Sequence, residues 1–512
     1  MTEPSTNVKE HIPVRKILTA VVAVAFGLGL AACAPDDGPS TASGADATID
    51  VGSLYEPQNL DNTGGGGQGV TEALNGNVYE GLFRLTDDGK VENLLVSDYS
   101  VSGDGLTYTF TLRSGVTFHS GKPLTAADAK YSLEKVIAPD SKSARKSSFG
   151  PIGGITAPGD STLVVTLKTR SISFVYNLSY VWIVNAGNQS PTTTADGTGP
   201  YRLASWQRGA TLSLSRFDGY WGTKASNKDV VFHYFTDASA LNNALLTDQI
   251  DIITSEQSPD ALDQFTANPA YRVNDGASTT KLLLAFNDRV APFDNVKVRK
   301  AVYSAIDRKK LLESIWGPHG KLIGSMVPPS DPWYEDLTNA NPYDIDLAKR
   351  LLAEAGHGGG FSFTLDTPNY DPHPIVATFL KSELAKVGIT VTIKVISADE
   401  WYTKVFQKHD FVATLQEHVN DRDVVWYGNP DFYWGYDSPQ VTRWVRQAEQ
   451  AATADEQTAL LKQANRQLAQ DAASVWLYLY PQIVVASTRV SGYPVNGLNS
   501  QFYVYGITKR EG

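Results

Sequence analysis

Residues 361–396 decide the fold, and their sequence is FSFTLDTPNYDPHPIVATFLKSELAKVGITVTIKVI. The first residues, Phe361 to Leu365, have the composition of a short strand. A helix is predicted next, ended by Gly388, and its apolar face consists of Val376, Phe379, Leu380, Leu384 and Val387. Apolar and polar residues then alternate from Ile389 to Val395, which is typical of a half-buried strand. A strand, a helix and a strand in this order predict an α/β fold in which the helix crosses between strands of one sheet.

The same two periodicities predict further elements on both sides of this unit. Alternating residues predict strands at Thr48–Tyr55, Gly105–Leu112, Ser161–Lys168, Ala210–Arg216 and Phe411–Leu415. Helical spacing and capping residues predict helices at Val70–Gly81, Thr125–Ile137, Val298–Ile306, after Asp307, from Asp344 to Gly356, at Gln440–Ala451 and at Asp455–Asp471. The second half of the chain is therefore richer in helices than the first.

Length, composition and net charge limit the classes of protein to which this chain can belong. A chain of 512 residues exceeds the size at which one hydrophobic core stops growing, so we expect two or more lobes. With 42% hydrophobic and 19% charged residues, the composition is that of a globular protein and excludes a protein with many membrane spans. The net charge of −11 argues against binding to nucleic acid and against adsorption to anionic lipid.

The N-terminal segment has the pattern of an export signal. Basic residues precede an apolar stretch from Ile17 to Leu30, which is too short to span a bilayer. Leu30-Ala31-Ala32-Cys33 follows, and it resembles a bacterial lipobox. That resemblance implies a signal peptide at 1–32, a lipid on Cys33 and a flexible tether at 33–47. The alternative is an ordinary signal peptide that contains the only cysteine of the chain by chance.

The sequence carries no local signature of catalysis. It contains no phosphate-binding Gly-x-x-x-x-Gly-Lys-Ser/Thr, no Gly-x-Ser-x-Gly and no His-Glu-x-x-His. Its eight histidines are scattered without the spacing of metal ligands, and a lipidated Cys33 would leave no thiol. We therefore expect a protein that is not an enzyme and that has neither a cofactor nor a metal site.

Several motifs, in one order and register, resemble the extracytoplasmic solute-binding proteins of the peptide/nickel (family 5) ABC importers. These motifs cover most of the chain and are Val78–Leu82, Gly105–Phe110, Leu112–Asp128, Gly197–Tyr201, Arg216–Trp221, Phe286–Asn287, Pro292–Phe293, Val298–Val302, Ala305–Arg308, Tyr343–Asp344, Ala348–Gly356 and Val387–Ile389. Most of these residues also suit a purely structural role in turns and in core-facing helices.

The resemblance implies a two-lobed, periplasmic-binding-protein-like fold with a subdomain inserted in the N-terminal lobe. We expect the first lobe to comprise 48–81, 198–279 and a returning segment at 481–512, with the inserted subdomain at 82–197 and the second lobe at 280–480. It also implies that a peptide binds between the lobes and is passed to ABC permease subunits in the membrane. The protein would act as a monomer outside the cytoplasm, held to the membrane by the lipid.

The ligand-binding residues are predicted from the same resemblance. A carboxylate that meets the amine of a bound peptide should follow the strand at Phe411–Leu415, and Asp421 is the first candidate and Asp423 the second. Arg422 between them could pair with a ligand carboxylate. For all three residues an exposed loop charge is the alternative.

Aromatic residues complete the predicted site. Trp426 and Tyr427 could form a wall of the pocket, and Tyr55 lies where the first lobe of relatives faces the ligand. Trp401 could approach the cleft or pack between the lobes. Free backbone N–H groups in the Gly64–Gly69 loop could bind a carboxylate.

Other functions remain open from the sequence alone. A nickel chelate, a sugar, an opine or a haem-like molecule could replace the peptide on the same scaffold. A secreted two-lobed hydrolase would need an acid/base pair, for which Glu417 with Asp421 is the one cluster available. A chaperone-like surface lipoprotein is the third alternative.

Overall fold

Three large β-sheets organise the residues that the computed structural model describes, which are 47–65, 67–86, 88–143 and 145–510. The strands are β1 (Thr48–Ser53), β2 (Phe83–Leu85), β3 (Val91–Asn93), β4 (Val96–Val101), β5 (Thr107–Leu112), β6 (Ile152–Gly159), β7 (Thr162–Leu167), β8 (Tyr201–Gln207), β9 (Thr211–Arg216), β10 (Asp229–Tyr234), β11 (Ile252–Ile253), β12 (Tyr271–Gly276), β13 (Lys281–Phe286), β14 (Ser362–Pro368), β15 (Thr390–Ile396), β16 (Ala413–His418), β17 (Ser474–Leu479), β18 (Gln482–Ser487), β19 (Val490–Ser491) and β20 (Thr508–Lys509).

The helices alternate with these strands along the chain. They are α1 (Gly67–Leu74), α2 (Ala126–Ile137), α3 (Phe174–Leu178), α4 (Ala238–Leu246), α5 (Leu262–Thr266), α6 (Val296–Ala305), α7 (Arg308–Trp316), α8 (Ile345–Glu354), α9 (His373–Ala385), α10 (Ala398–Glu400), α11 (Pro439–Glu449) and α12 (Ala454–Asp471). A π-helical segment continues α10 through Trp401–Gln407, and 3₁₀ turns lie at Lys146–Phe149, Pro259–Ala261, Asp423–Gly428 and Leu498–Ser500.

The first lobe is built on a seven-stranded sheet in the order β12-β18-β11-β1-β10-β9-β8. Its central strand β1 pairs in parallel with β10 and β11, and the other pairings are antiparallel. Strand β18 comes from the last part of the chain, so the chain leaves this sheet after β12 and returns to it.

The second lobe is built on a five-stranded sheet in the order β15-β14-β16-β13-β17. Strands β14 and β15 pair in parallel from Ser362 with Thr390 to Pro368 with Ile396, and α9 is the connection between them. The α/β fold class and the strand–helix–strand unit predicted at 361–396 are therefore confirmed.

A third, antiparallel sheet in the order β4-β5-β7-β6 packs with α2 and forms the inserted unit. Helix α2 begins as its capping box predicts, because the backbone N–H of Thr125 donates to Asp128 Oδ2 at 3.1 Å. Buried apolar side chains form three groups: one in the inserted unit, one in the first lobe, and a larger one in the second lobe that extends to Leu241, Ile253 and Ile483 of the first lobe.

The chain passes between the two large sheets twice. Residues 277–280 connect β12 to β13, and residues 480–481 connect β17 to β18. Residues 198–200 lead from the inserted unit into β8 of the first lobe. The lobe boundaries expected from the sequence stay predictions.

Several elements differ from their predicted bounds by a few residues, and two of them do so for identifiable local reasons. Helix α1 ends at Leu74 rather than Gly81, because Gly76 adopts a φ of 70° and the buried Asn77 side chain donates to the Phe502 carbonyl. Strand β16 begins at Ala413 rather than Phe411, because the Asn287 amide holds the carbonyls of His409 and Phe411 in place of strand pairing. The predicted lipidation site Cys33 lies outside the described residues.

Candidate functional site

Two of the cavities that lie between parts of the fold are large enough to hold at least a small polar group. The larger has a volume of about 480 Å³ and lies between the inserted unit and the second lobe. The smaller has a volume of about 40 Å³ and lies beside the two passages between the lobes. We call them the larger cavity and the smaller cavity.

The larger cavity is lined from both sides. The inserted unit contributes Arg145, Arg170, Ser173 and Tyr176, and the second lobe contributes much of the segment 420–429 that follows β16. A solute in this space would therefore contact both parts at once. Its volume is within the range of roughly 300–1,000 Å³ found for small-molecule sites.

Asp421 lies in the larger cavity, as predicted. Its carboxylate accepts a hydrogen bond from the Tyr176 hydroxyl and another, at 3.4 Å, from the Tyr180 hydroxyl. The backbone N–H of Asp421 donates to Asn499 Oδ1 at 3.2 Å. Among the described residues, none forms an ion pair with this carboxylate. The negative charge is thus available to a cationic group of a solute.

Arg422 also lines the larger cavity, and its backbone is held in a left-handed conformation with a φ of 56°. Its guanidinium lies over the Tyr176 ring, and the backbone N–H of Arg422 donates to Asp331 Oδ2 at 3.1 Å. Burial, reinforced by the charge of Asp421, raises the pKa of Asp331 to about 8. Asp331 is therefore largely protonated near neutral pH and adds little negative charge to the cavity.

Asp423 borders the same cavity, but its charge is already neutralised. The carboxylate lies 3.0 Å from Nζ of the fully buried Lys281 and 3.6 Å from Nδ1 of His418. Burial opposes ionisation, yet these two neighbours outweigh it and hold the pKa of Asp423 below its ordinary value. Of the two predicted carboxylates, Asp421 is therefore the one that forms no ion pair with another described residue, although the charge of Arg145 acts on it from a distance.

Arg145 is a cavity residue that the sequence did not indicate. Its guanidinium stacks over the Tyr180 ring at 3.7 Å and donates to Asn420 Oδ1 at 3.5 Å. In the described part of the chain no carboxylate forms an ion pair with it. The larger cavity thus contains a cation and an anion, Arg145 and Asp421, neither of which forms an ion pair with a described residue.

The predicted aromatic residues divide between the cavity and the core. Trp426 lines the larger cavity and stacks on Phe432 with ring centres 5.1 Å apart. Its neighbour Tyr427 is fully buried, stacks on Trp434 at 4.1 Å and donates its hydroxyl to Ser474 Oγ at 2.9 Å. Tyr427 therefore supports the cavity from behind rather than lining it.

Trp401 packs inside the second lobe. Its indole N–H donates to Thr414 Oγ1 at 3.0 Å, and its ring contacts Phe406 and Tyr433. It lines neither the larger nor the smaller cavity.

Tyr55 lies in the smaller cavity, apart from the predicted residues of the segment 420–429. The neighbouring glycine-rich loop packs against it closely, since a Cβ on Gly69 would lie 2.2 Å from the Tyr55 carbonyl oxygen. Of the backbone N–H groups in the predicted loop, that of Gly64 donates to the Asp61 carbonyl at 2.9 Å.

Two other features are absent from the described residues. No group of three histidine, cysteine, aspartate or glutamate side chains is placed there to hold a metal ion. In the same part of the chain, no helix combines the length and the apolar character needed to cross a membrane.

Comparisons with known proteins agree with this architecture. The family model for bacterial extracellular solute-binding proteins, family 5 (middle), matches residues 90–438. The glutathione-binding protein GsiB of Salmonella typhi is 30% identical over 370 residues, which cover 69% of this chain and 70% of that protein.

Solved structures match nearly the whole chain. DppA of Helicobacter pylori, an ABC transporter-associated periplasmic binding protein in complex with the peptide STSA, has a TM-score of 0.76 at 22% identity, covering 91% of this chain and 98% of that chain. The binding protein AgaA from A. tumefaciens R10, in complex with agropinic acid, has a TM-score of 0.77 at 25% identity, covering 91% of this chain and 99% of that chain.

Proposed function

The chain belongs to the bacterial extracellular solute-binding proteins of family 5, and from this premise we propose that it captures a peptide in the larger cavity. The peptide is then delivered to the permease of an ABC importer. The protein acts as a monomer outside the cytoplasm, and its role ends with binding and release, without a chemical step.

One observation supports a peptide as the captured solute. The larger cavity presents Asp421 and Arg145, which have opposite charges and no ion-pair partner among the described residues. A free peptide carries an ammonium group at one end and a carboxylate at the other. Because a charge that leaves water needs a partner, a zwitterion satisfies both side chains at once.

The residues of the larger cavity take separate roles in this proposal. Asp421 binds the amine of the peptide, while Arg145 and Arg422 bind its carboxylate. Trp426 forms an apolar wall. Asp423 acts indirectly, since its ion pair with Lys281 fixes the loop that carries Asp421.

The two passages between the sheets are the natural hinges for a closure of the lobes. We propose that the lobes, bounded as the sequence suggested, rotate about residues 277–280 and 480–481. The solute contacts both sides of the larger cavity only when they approach, so binding shifts the equilibrium toward the closed form. A permease that recognises this form would receive loaded protein.

A second candidate is a non-peptide solute with a carboxylate. AgaA, which was solved with agropinic acid, is 25% identical to this chain. Such a solute would use Arg145 and Arg422 and could leave Asp421 unpaired. A hydrolase finds less support, because Glu417 lines the smaller cavity and Asp421 the larger one.

The membrane attachment is a separate part of the proposal. A lipid on Cys33 holds the protein at the outer side of the membrane, and residues 33–47 serve as a flexible tether. The acidic net charge of −11 supports a covalent anchor, since the protein surface itself would be repelled by anionic lipid.

Native mass spectrometry of gently purified protein tests the proposed function. We expect a ladder of co-purified peptide masses on the wild type and a strongly reduced ladder on Asp421→Asn prepared in parallel. A single non-peptide mass would support the second candidate. Protein without any bound solute, even after growth on a peptide-rich medium, would contradict capture.

A further inference from the structure

The smaller cavity contains one charged side chain. Its walls come from the first lobe, the second lobe and both passages, and they include Tyr55, Gln68, Thr280, Glu417 and Tyr480. Glu417 is the only residue of this lining that carries a charge, and no lysine or arginine is part of it. The remaining walls are mainly hydroxyl and amide side chains, which can accept hydrogen bonds.

Glu417 is a buried carboxylate with few partners. One of its oxygens accepts a hydrogen bond from the Tyr480 hydroxyl at 2.7 Å, although a carboxylate can accept about four. The nearest basic group is His373, whose Nδ1 lies 3.9 Å away. Burial lowers the pKa of His373 to about 4, so it is neutral near pH 7 and supplies no positive charge.

The contrast with Asp423 shows what Glu417 lacks. Both side chains lie at or just after the end of β16, and Asp423 has the buried ammonium group of Lys281 at 3.0 Å. Without such a cation, burial raises the pKa of Glu417 to about 7. A second buried carboxylate, Glu72 of the first lobe, adds to the negative potential and acts, like Glu417, on Tyr55.

The size of the smaller cavity restricts what could supply the missing cation. A volume of about 40 Å³ has room for a group the size of one or a few water molecules. An ammonium group is of that size and has three hydrogen atoms to donate. Tyr55 and Tyr480 line the same space.

We propose that the smaller cavity is a cation subsite, in which Glu417 binds an ammonium group of the captured solute. The inference rests on the proposed function, because it assumes that a solute enters between the lobes. It extends that function by assigning the solute a positive group at the passages, separate from the group bound by Asp421. The walls of the subsite come from both lobes, so filling it would also favour closure.

Matched peptide sets test the subsite. One set of tetrapeptides carries a free N-terminus and a lysine, a second is acetylated at the N-terminus, and a third contains Nε-acetyllysine. We expect wild-type protein to lose at least tenfold in capture of the third set, which lacks the lysine ammonium group. Glu417→Gln, which keeps the shape and the acceptor for Tyr480, should capture the first and third sets equally. Weaker capture of the second set should occur in both proteins, because that set lacks the amine bound by Asp421.

Two further variants separate charge from structure. Tyr480→Phe removes the hydrogen bond to Glu417 but leaves the carboxylate, so it should discriminate among the sets as the wild type does. Glu313→Gln, on the exposed surface of α7, is the matched control. Discrimination by Glu417→Gln equal to that of the wild type would overturn the cation subsite without affecting peptide capture by Asp421.

Failure of the proposed function gives a different result. If the wild type captures none of the peptide sets, propylammonium chloride is the remaining probe, measured by thermal shift against sodium chloride of equal concentration. Stabilisation of the wild type but not of Glu417→Gln would support the subsite for a non-peptide amine. No difference between these two proteins would overturn it.

Discussion

The guanidinium carbon of Arg422 lies 3.3 Å from the centre of the Tyr176 ring, so a loop of the second lobe touches a helix of the inserted unit. The hydroxyl of the same tyrosine donates to Asp421, the preceding residue of that loop. One aromatic side chain thus meets a cation and an anion that face the larger cavity. This arrangement couples the position of the two candidate ligand-binding residues to the approach of the two parts.

Replacing Tyr176 should therefore favour an open form. Tyr176→Ala removes a cation–π contact worth about 0.5–2 kcal/mol together with the hydrogen bond to Asp421. We expect a larger radius of gyration without solute by small-angle X-ray scattering, and a restored compact form at saturating peptide. Tyr131→Ala, on the exposed face of α2, is the control. Equal scattering of Tyr176→Ala and the wild type, with and without peptide, would count against closure.

Asp421→Ala should weaken peptide binding with little effect on stability. Truncating one side of a buried charge pair costs roughly 2–5 kcal/mol, so the dissociation constant should rise by tens-fold or more. The partners left behind, Tyr176 and Tyr180, still bond to each other at 2.7 Å, which limits the structural cost. Calorimetry with a co-purified peptide measures the effect, and Asp260→Ala on the surface is the control. Unchanged affinity would remove Asp421 from the site.

Asp423→Ala, in contrast, should lower the stability of the protein. It leaves the ammonium group of Lys281 buried and unpaired, which typically costs 3–5 kcal/mol of folding free energy. Urea denaturation should show this loss, and the double variant Asp423→Ala with Lys281→Met should recover much of it, because both charges are then gone. A stable single variant that binds no peptide would instead show that Asp423 contacts the ligand directly.

The fold could be predicted where the spacing of apolar residues defines a helix or a strand within one short segment. The unit at 361–396 follows from the residues alone, since one helix face and one alternating strand leave few arrangements. The last residue of α1 and the first residue of β16 could not be predicted. They depend on hydrogen bonds of the Asn77 and Asn287 side chains, whose partners are distant in the sequence.

The site was predictable only in part, for a similar reason. Asp421, Arg422 and Trp426 follow β16 directly, and a resemblance over that strand indicated them. Trp426 and Tyr427 are adjacent in a 3₁₀ turn, yet one lines the cavity and the other packs in the core, which no composition reveals. Arg145 carries no motif, and its contact Asn420 lies 275 residues away along the chain.

The lipid anchor can be tested apart from the binding site. Cys33→Ser removes the thiol that the lipobox would modify, and the acidic surface offers no other attachment to anionic lipid. We expect the variant in the soluble fraction after cell fractionation, with unchanged peptide affinity. A variant that stays with the membranes in high salt would show that the anchor lies elsewhere.

The pH dependence of stability should reflect the buried glutamates. Burial raises the folded-state pKa of Glu72, Glu80 and Glu417 to about 7 from an ordinary value of 4.5. In unfolded protein these groups are ionised above about pH 5, so the folded state binds more protons between that pH and about 8. Their contribution to stability is fully present below the unfolded pKa of 4.5 and is lost as pH rises through 7. Each group should lose roughly 1 kcal/mol between about pH 6.5 and 8.

Histidines limit the window in which this effect can be measured. Burial lowers the pKa of His119 and His373 to about 4 from 6.5, so below about pH 6.5 unfolding takes up protons on these rings, which opposes the gain from the glutamates. Urea denaturation between about pH 6.5 and 8 avoids this opposing effect and follows the buried carboxyl groups, which include Glu256 and Asp331. Glu417→Gln should reduce the decline in stability by the contribution of about one glutamate, whereas Glu313→Gln should leave the decline unchanged. A stability that rises with pH across this window would show that these carboxylates are ionised in the folded protein and have partners that the fold does not reveal.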